Sequence, residues 1–385
     1  MKKIIIAAAV ALTALTASFA EGWTLKGYAR AGAEGNFDAK DLETSLYKDG
    51  KYYGNGKSRV QMNMDYNQQY YGFNFRYQVD GFGFQNTTVK DASTGKIKEE
   101  KASEVWFTQT NLKYVMAYAK FIDEMVIVEV GKLGDNYTAS EGREAFNICS
   151  YSSQQSFGVR TIINPIEGLY FAVGASSYRA DKFEEDDDSV KDNKAKLGDL
   201  ELNQKVLGFS TKYKNKNFCV AGGYNLGGEG FGYLGLSAVP NLKFYIEGRY
   251  IDKEVSGKTD KNGDKTSHTV LSENLLYNFT EPAGVPLETG IMMYQTILKD
   301  NSQFEFYPYV SYGFTKSVFG EFEVGVIKYM EPSKHKDREG DDQSVVFNVT
   351  PSVKFKAGPK ATVKVYYNYD KLDKHAAGCT ARINF

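Results

Sequence analysis

Residues 71–79 read YGFNFRYQV, in which Tyr71, Phe73, Phe75, Tyr77 and Val79 alternate with Gly72, Asn74, Arg76 and Gln78. A period of two places one face of a strand against something apolar and the other against water. Immediately upstream Val60, Met62, Met64 and Tyr66 alternate with Gln61, Asn63 and Asp65, and Asn67–Gln69 joins the two runs tightly. The pattern recurs to the end of the chain. Val345, Phe347, Val349, Pro351, Val353 and Phe355 share one parity, as do Ala361, Val363, Val365, Tyr367 and Tyr369. About eighteen such segments run from 23–33 to 375–385, most near the length a tilted strand needs to cross a bilayer.

The connections alternate in length as the residues alternate in polarity. Tight ones fall at Asn67–Gln69, Ala119–Asp123, Asn164–Glu167, Lys214–Lys216, Val239–Asn241, Thr280–Leu287, Lys316–Ser317 and Ala357–Pro359. Between them lie longer, charged loops at 34–57, 80–103, 133–154, 180–202, 252–267 and 331–342; 227–229, 300–302 and 371–374 are short members of the same series. An up-and-down barrel with short turns on one side of a membrane and long loops on the other predicts this sorting, and a soluble sandwich does not. The fold expected is therefore all-β: a transmembrane antiparallel up-and-down β-barrel of about 18 strands, with 16 as the alternative.

Composition agrees. A mean hydropathy of −0.44 excludes a bundle of apolar transmembrane helices. With 47 basic against 48 acidic residues the chain lacks the basic excess that nucleic acid demands, so no nucleic-acid partner is expected. Tyr 28 and Phe 25 dominate over 2 Trp and 8 Pro, and aromatics gather at strand ends (Tyr70, Tyr71, Tyr250, Tyr277, Phe279, Tyr367, Tyr369), as in interfacial girdles. Residues 1–20, MKKIIIAAAVALTALTASFA, have two lysines, an apolar stretch, and Ser18 and Ala20 before Glu21. They read as a cleaved signal peptide, with 21–385 as the exported barrel. Cys149, Cys219 and Cys379 are too few for a disulfide framework.

His375 to Phe385 reads HAAGCTARINF: Ala377, Cys379, Ala381, Ile383 and Phe385 share one face, and Gly378, Thr380, Arg382 and Asn384 the other. This ending resembles that of bacterial outer-membrane β-barrel proteins, whose last strand alternates and closes on Phe. The resemblance implies that Cys379, Ala381, Ile383 and Phe385 form the assembly signal read by the barrel insertion machinery in the bacterial outer membrane. A count near eighteen leaves a water-filled bore, so the mature sequence resembles the porins. That resemblance implies passive diffusion of ions and small hydrophilic solutes, contact with outer-membrane lipid, and a homotrimer.

It also implies a constriction loop after the fifth strand, here 133–154 (LGDNYTASEGREAFNICSYSSQ), with Asp135, Glu141, Arg143 and Glu144 as its charged residues. The loop lacks the Pro-Glu-Phe-Gly-Gly run of enterobacterial porins. Arg30, Arg76, Lys113, Arg160 and Arg382 have the parity of the polar face and are the expected basic wall opposite. A charge on the lipid face costs roughly 2–4 kcal/mol at mid-bilayer, so strand-interior charges should face water. Glu273 breaks this rule: it shares parity with Leu271 and Leu275, which predicts a bulge, a subunit interface or a misread register. The run at 288–299 is apolar on both faces, as a trimer contact would be.

Other readings are weaker. Gly228, Gly230 and Gly232 lack the helix a phosphate loop must open. Asp260, Asn262 and Asp264 lack the closing Glu of a Ca²⁺ loop, and 184–188 (EEDDD) suits a solvated loop. His268, His335 and His375 offer no metal pair, and Ser267 and His268 point to opposite faces, so neither cofactor nor catalysis is expected. The alternatives to a diffusion pore are a substrate-selective channel, with Tyr28, Tyr170, Tyr245, Tyr307 and Tyr366 as a stacking track for sugars, and a surface adhesin or antigen.

Overall fold

The computed structural model describes residues 22–36, 41–43, 46–47, 56–80, 83–90, 97–105, 109–134, 137–142, 146, 157–176, 207–253, 256, 258–260, 262–280, 284–299, 302–331, 342–370 and 374–385. The segment read as a signal peptide, the 184–188 acidic run, and Asp135, Arg143, Glu144 and Cys149 lie outside them.

Eighteen antiparallel strands close into one barrel. They are β1 (Trp23–Asn36), β2 (Arg59–Asn67), β3 (Tyr71–Asp80), β4 (Gln109–Phe121), β5 (Val126–Lys132) and β6 (Phe157–Ile166). Then come β7 (Leu169–Ser176), β8 (Leu207–Lys214), β9 (Phe218–Asn225), β10 (Glu229–Leu236), β11 (Leu242–Ile251) and β12 (His268–Asn278). The circuit ends with β13 (Leu287–Leu298), β14 (Gln303–Gly313), β15 (Val318–Tyr329), β16 (Val345–Lys356), β17 (Ala361–Asp370) and β18 (Lys374–Asn384). Each pairs with its neighbours in sequence, and β18 returns to β1 with Ala29↔Ile383 and Ala33↔Cys379 in register. Gly27 and Phe385 exchange both backbone hydrogen bonds at 3.0 Å, so the terminal residue completes the seam. Closure leaves no unpaired edge, which a bilayer requires.

The barrel is apolar outside and polar inside. Val220, Leu234, Phe322, Phe347, Val365 and Ile383 on the outer face are 40–51% exposed, whereas Lys212, Glu247, Ser272, Glu305, Glu323 and Thr350 on the inner face are at most 8% exposed. A water-soluble protein would bury the first set; here a bilayer must cover it.

Three of the expected loops hold structure that alternation alone does not assign, among them the pairing of 258–259 with 265–266 within 252–267. Residues 83–90 and 97–105 pair as a hairpin extending beyond the barrel wall, and 41–43 folds back on the end of β1. The doubly apolar run of β13 also has an internal cause. Met292 packs inside with Tyr307, Ile327, Tyr329 and Val346, a buried cluster on the inner wall, so its apolar character needs no subunit contact. Glu273 is neither at a bulge nor misread: β12 pairs without interruption to β11 (Ile246↔Glu273) and β13 (Glu273↔Met293).

Candidate functional site

The loop after β5 is launched by two glycines. Gly131 has φ of +130°, and a Cβ there would sit 2.3 Å from the Val115 carbonyl oxygen, so only glycine lets the chain leave β5 in this direction. Residues 137–142 then lie on the inner face of β7 to β11. Tyr137 stacks on Tyr170 at 5.7 Å, and Thr138, fully buried, shares a hydrogen bond with Ser210. Ser140 donates to the Glu247 carboxylate at 2.7 Å. A Cβ on Gly142 would come within 2.1 Å of that same carboxyl group, so the loop approaches the wall as closely as the backbone allows. Phe146 is buried among Cys219, Ala221, Phe231, Tyr233 and Tyr245.

Glu141 is the electrostatic anchor. Its carboxylate accepts from Lys212 at 2.7 Å and Lys214 at 2.9 Å, both on β8. Burial pushes the Glu141 carboxyl up, but the hydrogen bonds and charges of the two lysines outweigh it and hold the group below the usual carboxylate range. Glu141 is thus already neutralised by the strand beneath it. Lys212 and Lys214 share parity with Ser210, a pattern visible in the sequence.

The expected basic residues divide into four groups. Arg30 on β1 lies in register with Arg382 on β18 and with Arg59 on β2, so three arginines sit side by side across the seam. Arg59, absent from the expected set because it opens its strand, forms an ion pair with Asp80 at 2.6 Å and donates to the Tyr28 hydroxyl at 3.4 Å. The Arg382 guanidinium lies 4.3 Å from the centre of the Tyr28 ring. Tyr28 is therefore a platform for the cluster, with cation–π contact helping to hold like charges together. Arg76 belongs to a neighbouring patch, donating to Asn63 at 2.6 Å with its guanidinium 4.6 Å from the Tyr114 ring.

Arg160 is a third case. It is 0% exposed, pairs with Glu129 at 2.5 Å and donates to the Gly134 carbonyl at 3.2 Å. The arginine is locked beneath the root of the loop. Lys113 falls where β3 and β4 slip register: Arg76 pairs with Tyr114 and Tyr77 with Leu112, leaving Lys113 as the extra residue of a bulge. The inner face of β4 here is carried by Tyr114 and Met116, both buried, because the bulge resets the parity from which Lys113 was read.

On an eighteen-strand circuit, β7–β11 lie across from β18, β1 and β2. The loop segment therefore lies on the opposite side of the circuit from the strands that carry Arg382, Arg30 and Arg59. Of the tyrosines read as a stacking track, Tyr245, Tyr307 and Tyr366 are 0–3% exposed and packed into the wall, and Tyr170 is covered by Tyr137. Cys379, Ala381 and Ile383 lie on the exposed outer face of β18. The Asp260-Asn262-Asp264 spacing is a turn: Asp260 accepts from the backbone of Asn262 and Asp264 and from Lys299 at 2.9 Å.

Among solved structures, the chain is similar to OprB of Pseudomonas putida in a low-pH structure, with TM-score 0.50 and 12% identity over 94% of this chain and 93% of that one. The likeness is one of fold. A loop-deletion mutant of OmpT, an outer membrane protein of Vibrio cholerae, gives TM-score 0.44 at 12% identity over 95% and 100% of the two chains. A mutant Rh. blastica porin gives 0.41 at 14% over 94% and 100%. No family model matches the sequence, and no curated protein does.

Proposed function

We propose that the chain is an outer-membrane porin, a water-filled channel through which ions and small hydrophilic solutes diffuse down their gradients. The observation that carries this reading is the inverted wall: eighteen strands, apolar outward, lined inside by charged and hydroxyl side chains. Eight strands would be filled by side chains, and eighteen leave a bore. The segment 137–142 narrows that bore from one side, with Glu141 and the rest of 133–154 as the constriction loop. Arg30 and Arg382, beside Arg59, form the basic wall across it, with Arg76 as its flank. A loop acid already paired to two lysines, opposite three arginines, favours anions over cations. Phe385, with Cys379, Ala381 and Ile383, serves as the signal for the insertion machinery after removal of residues 1–20, and the mature protein works as a homotrimer. The sugar-track alternative loses support from the burial of Tyr245, Tyr307 and Tyr366. Uptake of sugars of graded size into liposomes carrying the purified protein tests the proposal. A smooth decline of rate with size, without saturation, is expected; saturable uptake of one solute would replace diffusion by selection.

A further inference from the structure

The short turns gather at one mouth of the barrel, the mouth that faces the periplasm in barrels of this kind. There the ends of β12 to β16 enclose an open cavity of about 720 Å³, the size of a small-molecule site. Its lining has two charged sides. On one, Glu288 projects from the inner face of β13, in register with Asn278 on β12 and Ser311 on β14. On the other, Lys354 and Lys356 project from the end of β16, with Lys316 in the turn between β14 and β15. Phe319 on β15 lies between them: the Lys356 Nζ is 4.2 Å and the Lys354 Nζ 5.6 Å from the centre of its ring.

These charges are not matched to one another. Lys354 pairs with Glu321, which also takes Lys364 at 3.3 Å, so that carboxylate already serves two lysines. Glu288, Lys316 and Lys356 form no ion pair among the described residues. An acid and two bases therefore line one cavity without meeting, and the strand ladder shows why. Glu288 is level with Ser311 and Glu321, and Phe319, over which Lys356 is held, is one inner-face step beyond Glu321. Two strand spacings and one such step separate the Glu288 carboxylate from the Lys356 ammonium by roughly 10–12 Å.

We propose that this mouth is a binding station for short peptides, with the peptide ammonium on Glu288, its carboxylate on Lys356 and Lys316, and an apolar C-terminal side chain on the Phe319 ring. A charge-assisted hydrogen bond at each end takes up about 3 Å, which leaves roughly 5–6 Å between the charged groups of the solute. An extended chain covers about 3.3–3.6 Å per residue, so a dipeptide fits and a single amino acid falls short. A simple anion meets Lys356 but is repelled by Glu288, and a simple cation meets the reverse. Sugars carry neither charge and pass the station by. It rests on the porin reading, since solutes reach this mouth through the bore, and it names one class that pauses there.

The test uses the full chain in two settings. Alanyl-phenylalanine is added to single channels in a planar bilayer, and the same dipeptide is titrated by calorimetry into the purified barrel in detergent. Transient partial block is expected. Its half-effect concentration should rise about tenfold for the N-acetyl dipeptide and for the C-terminal amide, and again in Glu288→Gln and in Lys356→Gln. Heat-modified gel mobility identifies which variants are folded barrels, and the capped dipeptides test the wild type alone. Equal block by free and capped dipeptides, block that neither substitution shifts, or tighter block by a dicarboxylate such as succinate would overturn the proposal. Current steps without block or heat of binding would remove the station and leave the porin reading standing. Heat of binding with the same tenfold differences, but no current steps, would do the opposite.

Discussion

Replacing Glu141 by glutamine removes the charge on which the docked loop depends while keeping its shape. The carboxylate takes hydrogen bonds from Lys212 at 2.7 Å and from Lys214 at 2.9 Å. Each charge-assisted bond is worth about 1.5–3 kcal/mol when well buried. Glu141 is 33% exposed and Lys214 54%, so water screens the anchor and roughly 1–2 kcal/mol survives. That loss raises the undocked fraction of the loop by a factor of roughly 5–30. Single-channel recording at neutral pH should then show more frequent brief current fluctuations than wild type, and Lys212→Met with Lys214→Met should reproduce them. Acid gives a second readout. The folded carboxyl is held below its ordinary range, so its stabilisation is present above that range and is lost as pH falls through the depressed value. Wild-type fluctuations should therefore rise only in strong acid, and those of Glu141→Gln should stay flat with pH. If the variant's current is as quiet as wild type and both respond to acid alike, Glu141 does not hold the loop.

Arg160→Met strands Glu129 without its partner and should cost about 3–5 kcal/mol, read as a lower melting temperature of the barrel, while ion selectivity is unchanged; adding Glu129→Gln should recover most of the loss. Arg30→Gln with Arg382→Gln should move the reversal potential in a salt gradient toward cation permeation, and an unmoved potential would remove the arginine run from the conduction path. Gly142→Ala pushes a methyl group into the Glu247 carboxyl and should cost about 1–3 kcal/mol of docking, detected as faster proteolysis of 133–154 with barrel stability intact.

The strands were legible because each meets two different solvents, and that contrast is local: YGFNFRYQV announces its faces without help from the rest of the chain. The last strand was legible for the same reason, its outward residues Cys379, Ala381 and Ile383 alternating with Thr380 and Arg382. What sequence could not supply was anything set by contacts between distant strands. Arg160 and Arg30 carry the same parity, yet one is sealed against Glu129 and the other stands in a row with Arg59 and Arg382. Lys113 falls at a bulge, a single extra residue that resets every face beyond it and that alternation alone does not reveal. Met292 and Tyr307 show the converse, since an apolar cluster inside the barrel imitates an outer contact. Lys212, the loop's partner, lies seventy-odd residues from Glu141, and only the closed barrel brings them together.

The central claim is a continuous passage of water through the barrel, and its most direct test is the current carried by the purified protein in a planar bilayer. Discrete upward steps with conductance proportional to bulk salt concentration are predicted. A folded, inserted protein that gives no steps would contradict it, as would a conductance that saturates at low salt.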